Sequence, residues 1–78
     1  MKPIVTEKAV MMIEAQNILT FKLDKVKTKP QIKKEVEELF DIKVAKVKTL
    51  IRGNQKYAYV KLNKEFPAID IATKLGLI

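Results

Sequence analysis

Seventy-eight residues leave room for one domain with a modest core, since a chain this short buries only about 60% of its extended surface. With no cysteine and no histidine, the chain has no disulfide, no thiolate nucleophile, and neither the commonest general base nor the commonest metal ligand. Its net charge of +7 comes from 16 basic and nine acidic residues, and apolar residues make up 47% of it, too many for a disordered tail.

The stretch Met1–Lys8 does not have the pattern of a signal peptide, because Glu7 and Lys8 interrupt it before an apolar run develops. No segment approaches the roughly 18 apolar residues of a membrane span, so no membrane insertion is expected. The cysteine-free composition suits a reducing cytoplasm. Thr6 is placed to cap a short helix running to about Glu14, with Glu7 at its positive end. Val10 and Ile13, with Met11 as a third candidate, turn inward, and Gln16-Asn17 ends the helix. Ile18 to Leu23 alternates, which predicts a strand with Leu19, Phe21 and Leu23 on the core face. Residues 24–27 are then a loop.

Thr28 and Gln31 form a capping-box pattern, and Pro30 costs no hydrogen bond in a first helical turn. Ile32, Val36, Leu39 and Phe40 follow as one apolar stripe, with Lys33 and Lys34 facing Glu37 and Glu38 on the outside, and the helix ends near Asp41. Lys43 to Ile51 alternates again, with Ala45, Val47 and Ile51 on one face, Thr49 between them, and Lys46, Lys48 and Leu50 on the other. Gly53-Asn54 signals a hairpin, and Gln55 to Leu62 returns with Ala58, Val60 and Leu62 inward and Tyr57, Tyr59 and Lys61 outward. Pro67 opens a last helix with Ile71, Ala72 and Leu75 inward, Gly76 just past its end and Leu77 folded back over it. The order is helix, strand, helix, strand, strand, helix. It predicts an α+β fold with a ferredoxin-like split β-α-β core. The sheet is three-stranded, in order 1-3-2, with the last strand antiparallel to both neighbours and the helices on one face.

The distribution of charge is more informative than its total. Between Asp41 and Glu65 no acidic residue occurs, while Lys43, Lys46, Lys48, Arg52, Lys56, Lys61 and Lys64 all fall there. The other nine basic residues balance the nine acids, so the whole surplus belongs to one hairpin. A basic patch without internal neutralisation seeks a polyanion, although such a run can also be a solvated surface. The uncovered sheet face would carry Ile18, Thr20 and Lys22, then Lys46, Lys48 and Leu50, then Tyr57, Tyr59 and Lys61. Lysines pair with phosphates and tyrosine rings stack on bases or riboses, which suits RNA. Tyr57 and Tyr59 alone could equally be a cross-strand aromatic pair. The aromatic motifs of an RNA-recognition module are absent. Arg52 and Lys56 lie near the hairpin tip. A second basic stretch, Lys22, Lys25, Lys27 and Lys29, surrounds the N-terminus of the main helix, where a phosphate or simply solvent could sit. Arg52 and Asn54 are the only pair resembling an acyl-phosphate hydrolase site, but both lie at an exposed turn, and no nucleophile–base constellation accompanies them. The chain is expected not to be an enzyme and to need no cofactor or metal.

Taken together, several stretches resemble the universal large-subunit ribosomal protein twenty-three family. They are Pro3-Ile4-Val5-Thr6-Glu7-Lys8-Ala9, Asn17 with Leu19-Thr20-Phe21, Thr28-Lys29 with Gln31-Ile32-Lys33-Lys34, and Val36-Glu37-Glu38-Leu39-Phe40. Val44 to Val47, Thr49-Leu50, Ala58-Tyr59-Val60-Lys61-Leu62 and Ile71-Ala72-Thr73-Lys74-Leu75-Gly76 complete the match. Two positions depart from it. Lys48 stands where the family usually has asparagine, and Arg52-Gly53-Asn54-Gln55 joins the strands without the long bacterial loop, as in the short-loop archaeal form. The resemblance implies a single ribosomal RNA-binding domain over residues 1–78, at the rim of the peptide exit tunnel of a cytoplasmic ribosome. RNA contacts are then expected from Lys8, Lys22, Lys25, Lys27, Lys29, Lys43, Lys46, Lys48, Arg52, Lys56, Tyr57, Tyr59 and Lys61. It also implies contact with a neighbouring small helical ribosomal protein. The signal recognition particle and the translocon would dock by way of Val5, Glu7 and Asp41. The competing expectation is a free-standing, chromatin-type nucleic-acid-binding protein.

Overall fold

The computed structural model describes residues 2–25 and 27–76. In chain order the elements are β1 (Lys2–Pro3), α1 (Glu7–Gln16), β2 (Ile18–Leu23), α2 (Lys29–Phe40), β3 (Val44–Arg52), β4 (Gln55–Leu62) and α3 (Ala68–Lys74). The sheet order is β1-β2-β4-β3, and each neighbouring pair is antiparallel. The α+β class and the insertion of β4 between β2 and β3 agree with the sequence. The three-stranded sheet becomes four-stranded, because Lys2 and Pro3 pair with Lys22 and Phe21. Two residues are too short to show alternation, and an edge strand tolerates a proline that cannot donate. No helix among the described residues is long and apolar enough to cross a membrane.

Thr6 and Thr28 cap α1 and α2 as their spacing predicts. The Ala9 N–H donates to Thr6 Oγ1 at 3.1 Å, and Thr28 and Gln31 exchange the two bonds of a capping box at 3.0 and 3.3 Å. Helix α1 runs to Gln16, two residues past its expected end, and closes on Asn17 in the left-handed conformation (φ 59°). Helix α2 closes the same way on Asp41 (φ 53°). At the far end Gly76 (φ 74°) follows α3 as a C′ glycine. The expected fold-back of Leu77 lies outside the described residues.

The core joins Leu19, Phe21 and Leu23 of β2, Ala58, Val60 and Leu62 of β4, Ile32 and Val36 of α2, and Ile71 and Ala72 of α3. Phe40 stacks on Phe21 with ring centroids 6.3 Å apart. Several inward expectations fail, each for a geometric reason. Leu39 is exposed, because the i, i+4 ladder Ile32–Val36–Phe40 takes the core-facing stripe. In α1 the buried positions are Ala9 and Ile13, whereas Val10 is half-buried and Met11 exposed. In β3 a register shift between Val44 and Lys46 leaves Ala45 exposed and turns Val44 and Val47 both to the core, as a bulge does. Ile51 is 66% exposed, since the hairpin outruns the core near its tip. Glu37 turns from the expected lysine-paired face to accept the Val44 N–H at 2.9 Å, tying α2 to the start of β3.

Asn17 holds two layers together. Its Nδ2 donates to the carbonyls of Leu62, Asn63 and Phe66 at 3.1–3.3 Å, and its Oδ1 accepts the Ala68 N–H that no side chain of α3 caps. One residue thus closes α1 with its backbone, whose N–H donates to the Met12 carbonyl, and with its side chain secures the end of β4 and starts α3.

Candidate nucleic-acid interface

Alternation turns Leu19 and Phe21 into the core, so Ile18, Thr20 and Lys22 must emerge on the opposite face of β2. The register aligns this face into three rows. Ile18 lies beside Lys61, which lies beside Lys46. Thr20 lies beside Tyr59 and then Lys48, and Lys22 beside Tyr57 and then Leu50. Arg52 continues the Lys46–Lys48–Leu50 series toward the turn. That turn needs a positive φ only at Gly53 (62°), a conformation natural to glycine. The two tyrosines are half-buried, and Lys46, Lys48 and Lys61 are exposed.

This face is not open across its whole width. Lys8, Met12 and Gln16, one turn apart along α1, form a stripe next to the buried Ala9 and Ile13. They wall a groove of about 370 Å³ whose other side is Ile18, Lys46, Lys48, Tyr59 and Lys61. Helix α1 keeps Ile13 in the same core as α2 and α3, and its Lys8–Met12–Gln16 edge also rims the second face beside β2. Among the described residues, four lysines line this groove and no carboxylate does. Lys46 and Lys61 are direct cross-strand neighbours, a like-charge placement that costs stability unless an anion sits between them. Beyond Tyr59 a second groove of about 220 Å³ runs toward Arg52.

The remaining candidates lie elsewhere. Lys56 pairs in register with Leu23 and Ile51, so it belongs to the opposite face at the hairpin end. Lys27 donates to Glu35 at 2.6 Å, so its charge is matched within the chain. Lys25 is an exposed loop residue, Lys29 opens α2, and Lys43 precedes β3, apart from the grooved face. Val5, Glu7 and Asp41 are all exposed, but they are not together. Val5 and Glu7 flank Thr6, which shares the second groove with Arg52 at the end of β3, whereas Asp41 sits just before its start. Of the α1 wall, Lys8 was among the expected contacts, whereas Met12 and Gln16 are the part of the site that sequence reasoning missed. Its signal was present in the i, i+4 spacing of Lys8, Met12 and Gln16.

Residues 1–66 match the model of the family described as Ribosomal protein L23. The chain belongs to the ribosomal protein L23 family. It is 51% identical over 77 residues to the large ribosomal subunit protein uL23 of Pyrobaculum aerophilum, with 96% of this chain and 94% of that relative covered. So complete an overlap leaves no space in the relative for a long extra hairpin loop, in keeping with the short Arg52–Gln55 connection. Family membership also answers the enzyme question. This is a ribosomal protein of the translation machinery, its place is the ribosome, and the Arg52–Asn54 pair is turn chemistry.

Proposed function

We propose that this L23-family chain is a structural constituent of the large ribosomal subunit, binding large-subunit ribosomal RNA beside the peptide exit tunnel through the face that carries Lys46, Lys48, Tyr59 and Lys61. One observation carries this reading: the cross-strand pairing of Lys46 with Lys61 at a groove that Lys8 and Lys48 also line and that no carboxylate of the described residues enters. Packed lysines repel one another, and a phosphate backbone turns that repulsion into attraction while releasing counterions. Tyr59, in register with Lys48, adds a ring surface among the charges. The name of the Pyrobaculum relative supports the large subunit as the address.

The test is a salt titration of binding to large-subunit ribosomal RNA and to duplex DNA. The wild-type chain binds the folded RNA in preference, and Lys46→Glu with Lys48→Glu weakens binding and lowers the salt slope by roughly 0.7–0.9 for every phosphate no longer neutralised. Equal affinity for duplex DNA would return the chromatin-type alternative. An unchanged affinity in the double variant would reject this face.

The same assignment extends to partners. Val5 and Glu7 at one end of the sheet and Asp41 at the other offer exposed positions to the signal recognition particle, the translocon and a small helical ribosomal neighbour. Because the two groups are separated, Val5→Ala with Glu7→Lys and Asp41→Lys should weaken different partners when purified large subunits carrying each variant are tested for factor binding.

A further inference from the structure

The second groove differs in character from the lysine groove beside it. It is lined by Ile4, Leu50, Tyr57 and Tyr59, together with Thr6 and Arg52. Thr20 also lines it. The Thr20 hydroxyl is buried and has no hydrogen-bond partner among the described residues, and the whole residue is only 8% exposed. An unsatisfied hydroxyl among hydrophobic and aromatic side chains is a rare feature, because buried polar atoms nearly always find a partner. Tyr59 joins the two grooves, lining both.

We infer that this groove receives one unpaired nucleotide of the RNA, its base stacked against the tyrosines with its polar edge toward Thr20, and its flanking phosphates divided between Arg52 and the lysine groove. The inference rests on the RNA-binding assignment and names the part of the RNA that this face takes. A nucleobase has two apolar faces and a rim of donors and acceptors, which is the pattern of this groove: ring and aliphatic walls, with a hydroxyl able to donate or accept. A volume of about 220 Å³ suits one base. A paired helix cannot supply that base, because its bases are stacked inside, so the nucleotide must be a bulge, a loop residue or an end. The Thr20 oxygen is shielded in the free chain. A base edge reaches it when Tyr59, its register partner, shifts to stack on the base. The charged groove then holds the neighbouring backbone in a fixed register relative to the base.

The test is chemical probing of unpaired bases in large-subunit ribosomal RNA, with the full chain present or absent. The wild-type chain protects one unpaired base within a larger backbone footprint. Tyr59→Leu lowers affinity about tenfold, as loss of one stacked base does, and restores reactivity at that base while backbone protection persists at higher protein concentration. Thr20→Val keeps the β-branched shape and the fold, checked by circular dichroism, and restores reactivity at the same base. If the backbone footprint forms but no unpaired base is protected, the groove serves something else, such as a protein side chain, and the inference is overturned. Persistence of base protection in both variants overturns it as well. If the wild-type chain leaves no footprint anywhere, the RNA-binding assignment falls first and takes the inference with it.

Discussion

The two faces of the sheet are built from the same strands and obey opposite rules. On one, Phe21, Ala58 and Val60 are sealed against α2 and α3, and among the described residues no charged side chain enters the core. On the other, residues one position along the same strands gather lysines, two half-buried tyrosines and an unsatisfied threonine. The first face answers to stability alone. The second accepts like charges opposite each other and an unpartnered hydroxyl, both unfavourable in the free chain. Such costs, confined to one face, mark the face that meets a partner. Stability and binding should therefore separate cleanly by face.

The largest effect belongs to the core. Phe21→Ala removes a fully buried ring and its stack on Phe40, and it should destabilise the chain by about 3–5 kcal/mol. A domain of this size has only about 4–12 kcal/mol to lose. Urea unfolding should show a markedly lower midpoint, and RNA affinity per folded molecule should stay as it was. If affinity falls as far as stability does, the two faces are not independent.

Asn17 comes next. Asn17→Ala deletes the bonds to Leu62, Asn63, Phe66 and Ala68 and places a Cβ-bearing residue less suited to a left-handed backbone there, for an expected loss of about 2–4 kcal/mol. Asn17→Gly keeps the backbone conformation and removes only the bonds, so its melting point should fall between wild type and alanine. Equal losses for both would mean that the hydrogen bonds account for the whole effect.

On the binding face, Lys46→Glu with Lys48→Glu should not lower stability, because both side chains are exposed and Lys46→Glu replaces the repulsion with Lys61 by an opposite-charge pair, while RNA affinity falls at least tenfold at moderate salt. This is the mirror image of Phe21→Ala, and a thermal melt beside a binding titration tests the pair.

How much of this was legible in the sequence follows the same division. Alternation located the core positions of β2 and β4, caps located the starts of α1 and α2, and the acid-free run located the charge, because each is a local signal. The bulge that turns Ala45 outward depends on pairing with Leu62 and Lys61, which no local pattern encodes. Strand β1 is too short for a pattern of its own and is set by its partner, Lys22 and Phe21. Asn17 had every mark of a helix terminator. Its links to Leu62, Phe66 and Ala68 span 45 or more positions and emerge only in three dimensions. The candidate face was legible as a set of residues. Its division into a charged groove and a tyrosine-walled one was not, because it depends on which side of β2 the first helix rims.

The smallest effect tests the comparison most directly, because a single substitution should move stability and binding in opposite directions. Lys61 sits opposite Lys46 with Ile18 on its other side, so across the strands its charge meets a like charge and an apolar side chain, while Glu14 shares a pocket with it beyond the sheet edge. Lys61→Gln keeps the length and polarity of the side chain and removes that repulsion. It should raise stability by about 0.2–1 kcal/mol at low ionic strength. The gain should shrink as salt is added and vanish near 1 M, where charges are screened beyond about 3 Å. RNA affinity should fall in the same variant, with the salt slope smaller by roughly one unit, the share of a single phosphate. A substitution that steadies the free chain while loosening its complex shows that the repulsion exists for the partner. If Lys61→Gln leaves stability unchanged at low salt, the lysines are spaced well enough not to strain the sheet. The like-charge pairing would then no longer distinguish this face from any solvated one.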